Sequence, residues 1–429
     1  MSEPLVIGFL GCGTVGTSAI RLLHEHAEDI AERAGREIRV GAVAVRDPAR
    51  PREVPLPAER FTDDPAAVVG DPEIHAVVEV MGGMEPAAEL ILRAIGEGKP
   101  VVTANKEVMA ARGRELFDAA ESAGVDLRFE AAVGGGIPLI RPLKESLAGE
   151  RVVRVTGILN GTTNYVLTRM HEDRMSFAEA LDVAAQLGYA EPDPTADIEG
   201  HDAAAKCAIL ASIAFNSRVT AGDVAREGMG GVRPEDVEFA EEMGYVIKPL
   251  AVAELAGDEV AVRVHPAMIP RDHPLAAVRE SFNAVFVEGP HVGELMFYGR
   301  GAGGPPTATA VVGDLVDVAR SGTSGGRTVG CTCYRERRIR PPEEMEGQFY
   351  LLLAVVDRPG VLARIAGVFG EEQVSIKSVW QQGTGEEALI VLITHRANEG
   401  AMGRTVDGLR GLDVVQEVRS LLRVEGEAD

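Results

Sequence analysis

The stretch PLVIGFLGCGTVG, Pro4 to Gly16, sets the reading of the whole chain. Its apolar run PLVIGFL reads as a strand. Gly11, Gly13 and Gly16 then form a G-x-G-x-x-G directly behind it, opening a helical pattern that runs from Thr14 to Arg33. Glycines at this spacing permit a tight turn, close approach of backbone to a pyrophosphate, and close helix packing. The helix start supplies free N–H groups and the positive end of a dipole. An ordinary strand-to-helix turn is the plain alternative, but the strand–loop–helix context is the one that dinucleotide binding demands. Leu10, Gly11, Gly13, Thr14, Val15 and Gly16 are the candidate cofactor contacts.

Outward from this loop, apolar runs alternate with helical stretches: IRVGAVAV and a Pro-rich loop, HAVVEV and Pro86–Glu97, KPVVTA and Glu107–Ser122, then VDLRFEA. That rhythm predicts an α/β domain, a doubly wound parallel sheet with helices on both faces. The second strand ends at Arg46-Asp47. Arg46 there favours the 2′-phosphate of NADP; the neighbouring Asp47, able to bond a ribose hydroxyl, keeps NAD open.

The 429 residues suffice for about three domains. Apolar residues make up 45% and charged residues 25%, a globular composition, and no window is as long and apolar as a membrane span. MSEPLVIGFLG has no basic leader region and its apolar run enters the glycine loop, so a cytoplasmic protein is expected. A formal charge of −23 argues against nucleic acid or anionic membranes as partners. Cys12, Cys207, Cys331 and Cys333 include no CxxC pair, so neither a disulfide framework nor a zinc site is expected, and Cys331 and Cys333 read as two reduced thiols in or near a strand.

Beyond the dinucleotide-binding region, 1–133, the texture of 134–298 is α+β, with helices over Met175–Leu187 and Asp202–Phe215 and strands over Val260–Ile269 and Asn283–Glu288. The segment 299–334 opens with a Gly-rich loop and a helix and is expected to return to the first domain. Residues 335–347, RERRIRPPEEMEG, lack hydrophobic periodicity and read as a linker. Residues 348–429 read as βαββαβ, a ferredoxin-like unit.

Four further stretches carry chemistry. TANKEVMA puts Lys106 at the carboxyl end of a parallel strand, where open α/β sheets bind ligands; a solvated lysine at a helix start is the alternative. FEAAVGGGIP could offer a hard cation the Glu130 carboxylate and several backbone oxygens, or be an interdomain hinge. AEPDPTADIEGHDAAAK, Ala190 to Lys206, places Asp202 and Lys206 four apart on one helix face. In isolation that is an ion pair of only about 0.2–0.5 kcal/mol. Here CAILASIAF follows and draws the helix inward, and a buried ammonium needs a carboxylate to stay charged and remain an acid. DRPGVLARIAGVFG, Asp357 to Gly370, is a strand-to-helix turn whose N–H groups could hold an amino-acid carboxylate, or a plain connection.

Together these stretches resemble the homoserine dehydrogenase family, in its monofunctional form with a C-terminal ACT domain. The pattern A-x-x-x-G-[YF]-A-E-x-D-P-x-x-D-[IVL]-x-G-x-D-A-x-x-K is matched without a gap from Ala184 to Lys206, and NGTTNYVL, VGGGIP and TANKE occur in family order. The resemblance implies reversible NAD(P)-dependent interconversion of L-aspartate 4-semialdehyde and L-homoserine in threonine and methionine biosynthesis, by a homodimer or homotetramer. It implies Lys206 or Lys106 as proton donor, and Glu191 and Asp202, with Gly188, at the substrate. It implies a cofactor contact at Gly303, and a sodium site at Glu130 with the oxygens of Val133, Gly135 and Ile137. It also implies an amino-acid effector, threonine, at Asp357, Gly360, Val361 and Leu362. Another amino-acid oxidoreductase of the same architecture, or a non-catalytic amino-acid sensor, are the competing readings; the retained Lys106, Asp202 and Lys206 argue against the sensor.

Overall fold

A computed structural model describes residues 3–324, 329–383 and 388–426, side chains of 322–324 excepted. The expected domains 1–133, 299–334 and 348–429 therefore include a few positions, and the strand EALIVLIT its first residue, that lie outside the described residues. The chain forms two compact units, Met1–Val155 with Ala208–Ala221 and Asn283–Arg337, and Thr156–Cys207 with Gly222–Phe282 and Arg338–Asp429.

The first unit begins with β1 (Leu5–Leu10), α1 (Thr14–Glu25), α2 (Ala27–Ala34) and β2 (Ile38–Ala44). The single helix expected over Thr14–Arg33 is two, because the backbone at His26 leaves the helical region; the second helix is thereby turned to bury Ile30 and Ala34. The Pro-rich loop holds β3 (Phe61–Thr62) and α3 (Pro65–Gly70), the latter capped by the Asp64 carboxylate, which accepts the Ala67 N–H at 2.9 Å, with Pro65 in its first turn. Then follow β4 (Ala76–Glu79), α4 (Ala87–Gly96), β5 (Val101–Thr103), α5 (Lys106–Ala123) and β6 (Leu127–Arg128). The strands pair in the order β3-β2-β1-β4-β5-β6, all parallel. Strand order reverses between β1 and β4, so a crevice opens beyond their carboxyl ends.

The second unit takes over within β7 (Arg154–Ile158) and continues with α6 (Gly161–Asp173), α7 (Phe177–Gln186), α8 (Thr195–Ile198) and α9 (His201–Ala214), the last running on into the first unit's share of the chain. After β8 (Ala225–Arg226) and α10 (Pro234–Glu242), the strands β9 (Tyr245–Ala256) and β10 (Glu259–Pro270) form a long antiparallel hairpin. The chain then returns to the first unit as β11 (Phe282–Gly289), β12 (Gly293–Arg300) and α11 (Gly304–Ser324). There Ala308, Val311 and Leu315 of α11 share a core with Ala19 and Ile20 of α1 and with β1.

The C-terminal elements are β13 (Glu346–Val355), α12 (Val361–Glu371), β14 (Ile376–Gln382), β15 (Ala388–Thr394), β16 (Ala397–Asn398), α13 (Glu399–Arg410) and β17 (Val415–Val424). Apart from the two-residue β16, this is the expected βαββαβ order. β17 also pairs in parallel with β10, Ala267 opposite Arg423 and Met268 opposite Val424. One face of the sheet packs on its own helices through Leu351, Leu353, Ile365 and Leu409. The other shares a core with α6 and α10, where Tyr350, Leu352, Val391 and Leu422 meet Tyr165, Val166 and Val237. At that junction the buried Asp236 carboxylate accepts bonds from the Tyr350 hydroxyl (3.2 Å), the Ser420 hydroxyl (2.8 Å) and the Arg233 N–H (2.9 Å). The expected linker is likewise tied down: Arg338 accepts the Val260 N–H, Arg340 donates its N–H to Val260, and both guanidiniums reach Glu259. Among the described residues no helix is long and apolar enough to cross a membrane.

Candidate active site

The glycine loop is built as its spacing predicts. Gly11 sits at φ +106°, and a Cβ there would stand 2.7 Å from the Val80 carbonyl; a Cβ on Gly16 would stand 2.6 Å from the Gly11 carbonyl. A Cβ on Gly13 would meet nothing within 4 Å, which leaves that side open for a ligand. Thr14 and Val15 form the first turn of α1 and present its amides. The returning loop reaches the same place: Gly303 lies at φ +112°, and a Cβ on Gly304 would strike Ser18 Oγ and the Thr14 carbonyl. A cavity of about 790 Å³ extends from Gly11 and Gly13 past Arg46, Arg50 and Arg52 to Met81. Asp47 accepts the Ala49 N–H at 3.0 Å and so holds its own turn, whereas Arg46 is exposed and makes no hydrogen bond or ion pair among the described residues.

Lys106 is the first residue of α5, immediately after the cap Asn105, whose side chain accepts the Val108 N–H. That turn is held by a group the sequence reading passed over. Glu79, fully buried at the end of β4, accepts the Thr103 hydroxyl at 2.6 Å and the Met81 N–H at 2.8 Å. Asn105 in turn donates to the Gly83 carbonyl at 2.7 Å. Burial pushes the Glu79 carboxyl above its usual range, against the pull of these bonds. The signal available in sequence was a carboxylate closing an otherwise apolar parallel strand.

Glu130 takes a different part from the one expected of its carboxylate. One oxygen accepts the N–H groups of Leu139 (2.6 Å) and Ile140 (2.9 Å), the other that of Arg141 (2.9 Å), with the Arg141 guanidinium 3.5 Å away. Both oxygens are thus committed to organising the chain that follows, which is also why VDLRFEA is a strand only at Leu127–Arg128 and turns as a 3₁₀ segment at Glu130–Ala132. What the loop can offer a cation is main-chain carbonyls. Val133, Gly135 and Ile137 are buried, and their carbonyls accept no hydrogen bond among the described residues. Gly135 at φ +55° and Gly136 press against Gly301 and Pro306, so the glycine run is fixed by close approach. Beside it, Asp314 accepts the Glu130 N–H at 2.9 Å; burial, with the Glu130 charge adding, pushes its carboxyl up to about 7.

In the second unit the acidic stretch folds around one lysine. Lys206 is 8% exposed, and its ammonium donates to the Leu159 carbonyl and to Asp202 Oδ2, both at 2.7 Å. An ammonium has three N–H groups, so one remains for a ligand. Asp202 also accepts from the Asn160 amide at 3.0 Å, and the same amide donates to Asp197 at 2.7 Å. Asn160 is itself locked as the cap of α6, its Oδ1 accepting the Thr163 N–H and hydroxyl. Asn160 and Asp197, given no role by sequence reasoning, are therefore the hub that holds Asp202. The prolines break the chain as expected, yet Thr195–Ile198 forms one helical turn, started by Asp193, which accepts the Thr195 hydroxyl and N–H. Gly188 ends α7 at φ +76°, and Thr162 donates to the Tyr189 carbonyl to fix that exit. Glu191 is exposed and makes no hydrogen bond or ion pair among the described residues, so the protein's own bonds do not join it to Lys206 and Asp202.

In the C-terminal region, Gly360 at φ +91° turns the chain from β13 into α12; Val361 is buried and Leu362 is 43% exposed.

A dinucleotide crevice, a buried lysine–carboxylate pair and a ferredoxin-like C-terminal unit define a nicotinamide-dependent oxidoreductase with an appended ferredoxin-like fold. Residues 11–130 match the family described as homoserine dehydrogenase, NAD binding domain, 138–316 match homoserine dehydrogenase, and 349–410 match the ACT domain. The homoserine dehydrogenase of Mycobacterium tuberculosis (strain H37Rv) is 49% identical across 99% of this chain and 98% of its own, and that of Corynebacterium glutamicum 46% identical across 98% and 95%. A homoserine dehydrogenase structure from Thiobacillus denitrificans superposes with a TM-score of 0.93 at 42% identity, covering 99% of this chain and 98% of that one. A hyperthermophilic archaeal homoserine dehydrogenase in complex with NADPH matches 74% of this chain and 98% of its own at a TM-score of 0.63 and 26% identity. The chain belongs to the homoserine dehydrogenase family, oxidoreductases of amino-acid biosynthesis.

The raised Asp314 carboxyl has a consequence for stability. An acid held above its unfolded pKa of about 4 contributes stability that is whole below that pH and lost as pH rises through the folded value of about 7. Asp314→Asn removes this titration while keeping an acceptor for the Glu130 N–H. Denaturant unfolding at about pH 5 and about pH 8 should show the variant gaining on wild type at the higher pH, by an amount on the order of a few kcal/mol at most. Parallel pH dependence in the two proteins contradicts the assignment.

Proposed function

We propose that this protein interconverts L-aspartate 4-semialdehyde and L-homoserine with NADP as the preferred cofactor, that Lys206 is its proton donor, and that threonine acts on it through the ACT domain. The observation that carries the chemical part is the Lys206 ammonium, buried, ion-paired to Asp202, and left with one N–H. The cofactor, when bound, supplies or accepts the hydride. Reduction of an aldehyde builds negative charge on oxygen, and an ammonium prepositioned there both stabilises that charge and delivers the proton. Asp202 holds the lysine head group in place through its 2.7 Å bond, and with Glu191 supplies an anionic wall for the substrate's ammonium. Lys106, at the switch-point end of β5, is assigned to cofactor and substrate positioning and is the alternative donor.

For the cofactor, the support is the exposed, unengaged Arg46 at the end of β2, with Arg50 and Arg52 lining the same cavity and Asp47 occupied by its own turn. The archaeal relative solved with NADPH accords with this. A sodium ion would be held by the carbonyls of Glu130, Val133, Gly135 and Ile137, oxygen ligands suited to a hard cation. As functional modules we retain 1–133 with 299–334 for the cofactor, 134–298 for substrate and assembly into a homodimer or homotetramer, 335–347 as connection, and 348–429 as the regulatory domain of a cytoplasmic enzyme. The effector is assigned to the turn of Asp357, Gly360, Val361 and Leu362, where a helix start offers N–H groups to a carboxylate.

Three measurements test these assignments. Lys206→Ala should lower kcat for homoserine oxidation by at least about 100-fold, the ordinary scale of general acid–base catalysis, with cofactor affinity little changed; a wild-type kcat removes Lys206 from the chemistry. Arg46→Ala should raise KM for NADP by about tenfold or more, as loss of a charged phosphate contact does, and leave KM for NAD unmoved. Equal effects on the two cofactors contradict the 2′-phosphate role. Deleting the C-terminal domain would strip Tyr350, Leu352 and Leu422 from the core around α6, so the effector is better tested by a point substitution. Leu362→Glu should weaken threonine inhibition by about tenfold with uninhibited activity intact, and unchanged inhibition places the sensor elsewhere.

A further inference from the structure

A second cavity, of about 60 Å³, lies in the first unit between α5, the C-terminal part of α9 and the irregular segment carrying Cys331 and Cys333. That space is several times what one water needs. Its walls are apolar, Phe117 and Phe129 among them, and its charged lining residues are Arg114, Lys144 and Arg218; beside them the Glu121 carboxylate accepts the Cys331 N–H at 3.2 Å. Lys144 places its ammonium 5.1 Å from the Phe117 ring centre and 5.6 Å from that of Phe129 and donates to the Val329 carbonyl at 2.8 Å. Cys331 and Cys333 both face the cavity, and the Cys333 N–H donates to Cys331 Sγ at 3.4 Å. Cys331 is only partly buried, and both thiols are reduced.

From this arrangement we propose that Cys331 and Cys333 form a thiol–disulfide exchange site for low-molecular-weight disulfides bearing carboxylates, with Cys331 attacking and Cys333 resolving. The two cysteines are divided in role by their surroundings. The nearby Cys333 thiol, its N–H and the Lys144 charge favour the Cys331 thiolate over the opposing effects of burial and of the Glu121 carboxylate, while the Cys333 thiol itself donates to the Ser212 carbonyl at 3.9 Å. Burial pushes the Lys144 ammonium down to about 8, so it still carries its charge at neutral pH.

In the first step the Cys331 thiolate bonds to one sulfur of the incoming disulfide, breaking its S–S bond and releasing one small thiolate, which takes a proton from water. In the second, Cys333 gives up its proton to water and attacks Cys331 Sγ, closing the ring and expelling the other small thiolate. Two protein thiols are oxidised and one small disulfide is reduced to two thiols. The cationic lining attracts the carboxylates of the small molecule. Cys207, 2% exposed and with its thiol pushed up to about 12 by burial, cannot compete, and partly exposed Cys12 in the glycine loop serves as an internal comparison.

The full-length protein incubated with oxidised glutathione and mapped by mass spectrometry tests this. Wild type should lose two hydrogens through a Cys331–Cys333 disulfide, whereas Cys333→Ser should trap one glutathione on Cys331, at least about tenfold above Cys12. No closed disulfide in wild type, or adducts shared evenly between Cys331 and Cys12 in the variant, overturns the proposal. Iodoacetamide labelling of wild type, read peptide by peptide, needs no substitution: Cys331 should react at least about tenfold faster than Cys12, and equal rates overturn the proposal equally.

Discussion

Holding the Lys206 head group out of water is the constraint around which the polar groups of the second unit are arranged. Removing a lysine head group from solvent costs several kcal/mol unless the protein replaces the lost hydration. Here Asp202, one turn earlier on the same helix, and the carbonyl of Leu159 replace it. Each replacement imposes a further requirement. The Leu159 carbonyl is available because β7 stops there and Asn160 caps α6, and Asp202 is oriented because that same Asn160 amide holds it together with Asp197. The prolines, the single helical turn of Thr195–Ile198 and the left-handed Gly200 deliver Asp197 and Asp202 to one amide group. The carboxylates of this short run thus divide their work, Asp202 pairing with Lys206, Asp197 sharing its amide and Asp193 starting the helical turn.

The same economy of polar groups shapes the cofactor side. Glu79 and Glu130 are both buried, and each spends its oxygens on backbone N–H or hydroxyl donors. Their work is to shape the turns before Lys106 and around the glycine run. A carboxylate that satisfies several amides at once can fix an irregular loop that repetitive backbone bonding cannot.

Much of this was legible in the sequence, for reasons that differ by element. The parallel sheet and its order of elements followed from apolar runs alternating with helical periodicity, and the glycine loop followed because steric need selects glycine at Gly11 and Gly16. The pairing of Asp202 with Lys206 followed from helix geometry. The break at His26 was not legible, because it answers to the packing of Ile30 and Ala34. Nor were the roles of Asn160 and Glu79, whose distant partners lie from 24 to 42 residues away along the chain. The committed oxygens of Glu130 were hidden for a related reason, since a carboxylate beside a glycine run suggests a ligand until its amide partners are known. The fusion of the βαββαβ unit to α6 and α10 had only an indirect sign, the unbroken apolar runs of β13 and β15, which bury both faces without saying what covers the second.

The interleaving of the chain also constrains how the protein is made. α1 finds its packing partner only when α11, nearly three hundred residues later, has been synthesised, and the far end of β10, at Ala267 and Met268, gains its parallel neighbour only when β17 emerges at the end of the chain. A ribosome working from the N-terminus at about 5–20 residues per second therefore holds an incomplete dinucleotide sheet, apolar flank uncovered, for tens of seconds. The first unit can close only once the chain has been made to Arg337, and the second only with the end of the polypeptide.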